Sequence, residues 1–306
     1  AMTLKNAGAG LPHGGGKAGI LADPKTADME GLMRAFARAI RTITDYVPGP
    51  DMGTDETCMG WIHDEIGRAV GLPRVIGGIP LDEIGATGHG LSACAEVAAP
   101  FCDLDLEGAR LAIEGLGNVG RPAARLLAEK GAVLVAASDS TGAVHDPDGI
   151  DVEALISAKA AGGSVTAYEG ASRIANQALF EVPCDILVPA ARPDCIHEGN
   201  ADRIQARLIL QGANIPATPE AEARLHQRGV LVVPDFIANA GGVICAAVEF
   251  AGGSEAAALE QVSQKVAHNT REVLETVAAE GILPREAANS LAQRRVEAAM
   301  ALKRKL

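Results

Sequence analysis

"ARLAIEGLGNVGRPAARLLAEKGAVLVAAS", residues 109–138, is the stretch on which the fold turns. Two short apolar runs, "ARLAIEG" and "AVLVAAS", enclose the helical pattern "NVGRPAARLLAEK". A strand, a helix and a second strand in this span form a βαβ unit, and the apolar runs read as strands buried on both faces. The first strand enters "EGLGNVG", in which Gly115, Gly117 and Gly120 form G-x-G-x-x-G. In this context Gly115 allows a tight turn, Gly117 the close approach of a pyrophosphate, and Gly120 the packing of helix on strand. The helix start, reached through Asn118 and Val119, favours an anion. The second strand runs into Asp139, 24 residues after Gly115. An acid there accepts both ribose hydroxyls of NAD and repels the extra phosphate of NADP, whereas a shift of one residue would admit that phosphate. The cofactor expected is NAD or NADP, with NAD ahead.

Further apolar runs at "DILVPA", "ARLILQG" and "GVLVVPD" alternate with helical segments, which predicts a parallel, doubly wound sheet. Ahead of the unit, residues 28–43 place Leu32, Phe36, Ile40 and Ile43 on one helical face. "DMGTDETCMGWIHDEIGRAV" predicts a helix capped by Thr54 or Asp55, with Met59, Ile62 and Ile66 buried. "ATGHGLSACAEVAAP" reads as a helix ended by Pro100, and amphipathic helices are expected near 254–280 and 284–304.

The 306 residues suffice for two domains. A net charge of −12 and 3% aromatic residues argue against nucleic acid or an acidic membrane as partner. No apolar run is long enough to span a bilayer, and no secretory signal opens the chain. The six cysteines form no C-x-x-C pair and read as small core residues of a reducing, cytoplasmic protein; no metal site is expected.

"LPHGGGKAGILADP", residues 11–24, sets three glycines directly before Lys17, and Lys5 stands twelve residues earlier. A glycine backbone lies against a flat ligand with no side chain between. A lysine in a desolvated site beside a second cation loses its proton near neutral pH, which suits base chemistry. Two solvated lysines beside a flexible turn explain the local spacing equally well. Asp51, stiffened by Pro48 and Pro50, suits proton transfer and equally suits helix capping. Asn214 in "LQGANIPATPEA" and Asn239 in "PDFIANAGGVICAAVEF" lie beyond apolar runs, where amides meet a nicotinamide or a substrate amine; turn chemistry is the alternative.

Together these residues resemble the glutamate/leucine/phenylalanine/valine dehydrogenase family, and glutamate dehydrogenases most. "MTLKNAGAGLPHGGGKAGILADP" is similar to the family's substrate-site signature, and "PGPDMGTDE", "ATGHG", "EGLGNVG", "PAA", "QGAN" and "PDFIANAGGV" follow in the family's order. The resemblance implies an α/β fold: a Rossmann-type doubly wound sheet plus an α/β substrate domain, with the active-site cleft between them. It implies reversible NAD(P)-dependent oxidative deamination of an L-amino acid to a 2-oxo acid and ammonium. Lys5 would bind the substrate α-carboxylate. Lys17 would be the catalytic lysine of lowered pKa that activates water and stabilises the carbinolamine. Asp51 would shuttle protons to the substrate nitrogen. Gly15 and Gly16 would line the substrate cleft, with Thr87 and Asn239 near the nicotinamide. Gly115, Gly117, Asn118, Val119, Gly120, Asp139, Ala190 and Asn214 would surround the dinucleotide.

The resemblance further implies a substrate and oligomerisation domain over residues 1–100, completed by 284–306, and a dinucleotide-binding domain over 101–283. The chain opens at the "MTLKNA" motif, so the first domain is expected to lack its N-terminal part; a homo-oligomer is implied, a hexamer where that part is present. Ala246 stands where glutamate-specific members offer a serine hydroxyl to the side-chain carboxylate, and His89 stands where they usually have arginine. A methyl group at 246 favours an apolar substrate side chain, while the wording of the other motifs favours glutamate. Glutamate is therefore expected first, an aliphatic amino acid of the leucine or valine type second. A catalytically silent regulatory subunit of the same fold would be expected to have lost Lys17 or Asp51, and a plain redox sensor would not explain "LPHGGGKAGILADP".

Overall fold

The structure, a computed structural model, describes residues 1–25 and 27–302. Residues 303–306, with which the last helix and the first domain were expected to end, lie outside the described residues. Among the described residues four α-helices precede the sheet: α1 (Met2–Gly8), α2 (Met29–Ala39), α3 (Glu56–Ile66) and α4 (Ala86–Ala98). Asp28 and Asp55 start α2 and α3 by accepting from the N–H groups of Gly31 (3.1 Å) and Cys58 (2.9 Å), donors that a helix start leaves free. Met33 and Ala37 of α2 pack on Cys58, Met59 and Ile62 of α3 in a core of their own. Of the expected α2 stripe only Ile40 is buried. The helix ends at Ala39, so its period does not reach Ile43, which is 49% exposed; Leu32 and Phe36 are only half-buried.

The expected βαβ unit is present as β1 (Arg110–Glu114), α5 (Gly120–Ala128) and β2 (Val133–Ser138). It is followed by β3 (Ala143–His145), α6 (Val152–Gly162), β4 (Ser172–Ile174), β5 (Ile186–Pro189) and α7 (Glu198–Ala201). Then come β6 (Leu208–Leu210), α8 (Pro219–Gln227), β7 (Leu231–Val233) and α9 (Asp235–Ala238). The strands lie in the order β4-β3-β2-β1-β5-β6-β7. From β2 to β7 the pairing is parallel, whereas β3 and β4 form an antiparallel edge that a wholly parallel sheet did not anticipate. Each is three residues long, too short to carry a periodic signal. The chain reverses its direction of travel across the sheet between β1 and β5, which opens a crevice beyond their carboxyl ends.

Leu111 and Ile113 of β1 turn to one face of the sheet and Ala112 to the other, all fully buried. Burial of each large aliphatic side chain is worth roughly 1.5–3 kcal/mol, so both faces must be covered. On the first face lie α4, α5, α10 (Gly241–Phe250), α11 (Glu255–Glu280) and α12 (Pro284–Ala301). α12 packs on α1, which brings the start of the chain to the carboxyl side of the sheet. Glu249 of α10 accepts from the backbone N–H groups of Gly71, Leu72 (3.0 Å) and Ile79 (3.1 Å), fastening the α3–α4 connection to α10. All six cysteines are free, and burial pushes the thiols of Cys94, Cys184, Cys195 and Cys245 up to about 12. Among the described residues no helix is long and apolar enough to cross a membrane.

Candidate active site

The glycine turn follows β1 directly. Gly115 adopts φ +93°, and a Cβ there would lie 2.5 Å from Ala191 Cβ. A Cβ on Gly120 would lie 2.1 Å from the Gly115 carbonyl oxygen. Gly117 differs: it is exposed, and no described atom comes within 4 Å of where its Cβ would stand. The turn is closed at both ends and open in the middle, which is the shape a pyrophosphate needs above a helix start. The exposed Asn118 donates to Asp82 Oδ2 (3.3 Å), and the half-buried Val119 leads into α5. Beyond β5, Ala190 N–H donates to Glu114 O (2.7 Å) and Ala191 N–H to Glu114 Oε2 (3.0 Å), which sets "PAA" beside the glycine turn. Burial pushes the Glu114 carboxyl up, opposed by the Ala191 N–H and Arg192.

Asp139 is not free for a ribose. Its carboxylate is 8% exposed. Oδ1 accepts from Thr141 N–H (2.9 Å) and Ser164 Oγ (3.1 Å), and Oδ2 accepts from Val165 N–H (2.8 Å) and pairs with Lys159 (3.4 Å). These bonds fix the loop after β2 and consume the acceptor capacity of both oxygens. Lys159, which the sequence did not point to, also donates to Leu116 O (2.9 Å). It sets a cation between the glycine turn and the end of β2, so no free carboxylate there favours NAD over NADP.

At the carboxyl ends of β6 and β7, Asn239 is 4% exposed. Its Nδ2 donates to Gly212 O (3.2 Å), Ala213 O (3.1 Å) and Asn214 Oδ1 (3.1 Å). Its Oδ1 is buried without a partner among the described residues, an arrangement that suits a donor arriving with a ligand. Asn214 Oδ1 also accepts from Lys5 Nζ (3.3 Å). Burial lowers the Lys5 pKa to about 8; the charge of Asp235 opposes the shift and that of Lys17 adds to it. Lys17 Nζ forms an ion pair with Asp51 Oδ2, both side chains about half exposed. Asp51 is braced by its own turn, with its N–H on Thr54 Oγ1 (2.9 Å) and the Met52 N–H on its Oδ1 (2.8 Å). Asp55 caps α3, so Asp51 is left to Lys17.

The glycine loop first serves the chain's own packing. A Cβ on Gly15 would lie 2.2 Å from Thr3 N, and one on Gly16 would touch the Tyr46 ring at 3.2 Å. Close approach to α1 and Tyr46 therefore accounts for both glycines before any ligand is considered. Thr87 lies in the first turn of α4, against the start of α10, where a Cβ on Gly241 would lie 2.0 Å from Ala86 O. Ala246 is half-buried one turn before Phe250, whose ring meets that of His13 edge-on at 5.8 Å, so α10 reaches the glycine loop. The dinucleotide turn and the lysine group meet at Gly212, whose carbonyl holds Asn239 and whose missing Cβ would touch Ala190 Cβ (3.2 Å) and Val119 Cγ1 (3.3 Å).

A glycine turn at the switch point of a parallel sheet, linked through Gly212, Asn239 and Asn214 to Lys5, fits the class of NAD(P)-dependent amino acid dehydrogenases. The comparisons agree. The chain belongs to the glutamate/leucine/phenylalanine/valine dehydrogenase family, matched by the family of that name over residues 77–304 and by the Glu/Leu/Phe/Val dehydrogenase dimerisation domain over residues 1–68. It is 40% identical to a glutamate dehydrogenase of Aeropyrum pernix, over 99% of this chain and 78% of that protein. It is 42% identical to an NADP-specific glutamate dehydrogenase A1 of Halobacterium salinarum, over 79% of this chain and 62% of that protein. NAD-specific glutamate dehydrogenases also match. The solved hetero-hexameric glutamate dehydrogenase of Thermus thermophilus in its Leu-bound form superposes with a TM-score of 0.90 at 32% identity, covering all of this chain and 77% of that one.

Proposed function

We propose that this chain catalyses the reversible oxidative deamination of L-glutamate: glutamate, NAD(P)⁺ and water give 2-oxoglutarate, ammonium, NAD(P)H and a proton. The observation that carries the reading is the convergence of Lys5, Lys17, Asp51, Asn214 and Asn239 at the carboxyl edge of the sheet, next to the glycine turn. Lys5 holds the α-carboxylate by charge. Lys17 holds and moves a proton at Nζ for the attacking water, and Asp51 exchanges protons with the substrate nitrogen through its carboxylate. The dinucleotide, when bound, supplies the two-electron redox chemistry. Gly115, Gly117, Asn118, Val119, Gly120 and Ala190 would hold its phosphates, and Thr87 and Asn239 Oδ1, which has no partner among the described residues, would receive its carboxamide. With Asp139 held by Lys159, which also bonds Leu116 O at the glycine turn, a 2′-phosphate would meet a cation there, which is compatible with NADP as well as NAD.

A second reading rests on Ala246. The methyl group offers nothing to a side-chain carboxylate, and Val243 and Phe250 continue an apolar face along α10, which suits a leucine or valine side chain. The relatives' names support glutamate. The domain division that goes with either reading is a substrate part over residues 1–100 completed from residue 284, and a dinucleotide part over 101–283. α4 is shared, since its buried residues join the core of the sheet. A hexameric assembly accompanies the reading, supported by the dimerisation-domain match and by the hetero-hexameric Thermus relative, and a cytoplasmic location accompanies it from the six free cysteines.

Oxidation of NADH and NADPH with ammonium and a panel of 2-oxo acids tests the function. Preference for 2-oxoglutarate is expected. Preference for 4-methyl-2-oxopentanoate would put the Ala246 reading first. Dinucleotide binding with turnover of no acid would mean a catalytically silent subunit.

A further inference from the structure

Behind the lysine group lies a set of charges that the reaction above does not use. Arg285 at the start of α12 reaches Glu222 of α8 with two hydrogen bonds of 2.6 Å, Asp235 of α9 at 3.0 Å and Gln211 Oε1 at 2.8 Å. Gln211 Nε2 closes the set on Glu222 Oε1 (2.7 Å), and Asp235 N–H donates to Gln211 Oε1 (2.9 Å). Glu222, Asp235 and Gln211 are buried. Burying three charges is a poor way to gain stability, because desolvation consumes most of the attraction. Geometry is what such a network can hold.

What it holds is the loop after β6. Asp235 Oδ2 accepts from Ile215 N–H at 3.0 Å. Ile215 has φ +49°, a left-handed conformation that a β-branched residue adopts only under constraint, and its carbonyl accepts from Asp194 N–H (2.9 Å). The residue before it, Asn214, presents Oδ1 to Lys5 Nζ and Asn239 Nδ2. The path therefore runs from Arg285 to Asp235, through the strained Ile215 peptide, to the carboxamide that seats the lysine.

We propose that Asp235, held by Arg285, is a positioning residue for the dehydrogenase reaction: it locks Ile215 so that Asn214 fixes Lys5 for the substrate carboxylate. The proposal rests on the reading of Lys5 as the carboxylate-binding lysine. Around Lys5 the charges are Asp235 from α9, Lys17 from the glycine loop, with Asp51 behind it, and Arg285 and Arg295 from α12. Arg295 is turned to the carbonyls of Ala7 (3.2 Å) and Gly8 (3.0 Å), and Lys265 of α11 to that of Gly10 (3.2 Å). Asp235 is thus the anion that steadies the Lys5 charge.

The test uses the full-length enzyme with Asp235→Asn, Asp235→Asn/Ile215→Gly and Lys5→Met beside the wild type. Asp235→Asn is expected to raise KM for the 2-oxo acid about tenfold, the scale of one hydrogen bond to a charged group, with kcat and dinucleotide affinity little changed. Its alkaline limb in kcat/KM should begin at lower pH, because Lys5 has lost its nearest counter-charge. Glycine at 215 removes the strain, so the double variant should recover part of the KM. If Lys5→Met leaves KM unchanged, the reading of Lys5 fails and the proposal falls with it. If Lys5→Met raises KM while Asp235→Asn alters only thermal stability, the Lys5 reading stands and the proposal is overturned.

Discussion

Lys5 Nζ donates to Asn214 Oδ1 across 3.3 Å, joining the first helix of the chain to the loop after β6. The bond seats the lysine that would take the substrate carboxylate, whose pKa of about 8 is lowered chiefly by burial. Because the ammonium form does the binding, KM for the 2-oxo acid should rise as pH passes through 8, and Lys5→Met should remove that inflection. A lysine depressed from 10.5 to about 8 binds fewer protons folded than unfolded between those values. Its contribution to stability therefore improves as pH climbs from 8 towards 10.5, and the burial cost is carried in full below that window.

Gly117 and Gly120 separate binding from packing. Gly117→Ala meets no described atom, so the melting temperature should stay unchanged while dinucleotide affinity falls. Gly120→Ala drives a methyl group onto the Gly115 carbonyl, which should cost about 1–3 kcal/mol of stability together with cofactor binding. Thermal melts and dinucleotide titration of both variants distinguish the two roles.

Ala246→Ser offers a hydroxyl where α10 approaches the glycine loop. The ratio of kcat/KM for glutamate over leucine should increase about tenfold, within the discrimination that one pocket group supplies. An unchanged ratio would mean that the side chain lies elsewhere.

Glu114 carries a carboxyl that burial raises above 4.5, so its ionised form is penalised in the folded state. The penalty is absent at low pH and grows as pH rises through the folded pKa. Glu114→Gln keeps an acceptor for Ala191 N–H and removes the charge. Stability relative to wild type should therefore grow between acid and neutral pH, measured by denaturant unfolding at several pH values.

The central βαβ unit was legible because buried strands and an amphipathic helix differ in period, and because G-x-G-x-x-G fell between them. Strands β3 and β4 left no comparable trace at three residues each. The lysine, aspartate and asparagine positions could be named from their motifs, but their partners could not. Asp139 looked like a ribose acceptor from its place at a strand end, yet it is consumed by Lys159, Ser164 and Val165, which local spacing does not connect to it. Arg285 and Asp235 lie 50 residues apart and meet only because α12 folds back over the sheet. Of the three glycines, Gly14 meets no described atom within 4 Å, whereas Gly15 approaches the chain's own first helix and Gly16 the Tyr46 ring.

The most direct test of the Lys17–Asp51 centre is the initial rate of NAD(P)H oxidation with ammonium and 2-oxo acid in wild type, Lys17→Ala and Asp51→Asn, with dinucleotide affinity measured in parallel. Both side chains are about half exposed and paired mainly with each other, so folding and dinucleotide binding should be retained. The rate should fall by at least about a hundredfold in each variant, as expected when a proton-transfer group is removed. Wild-type turnover in either variant would contradict the assignment of that residue to the chemistry.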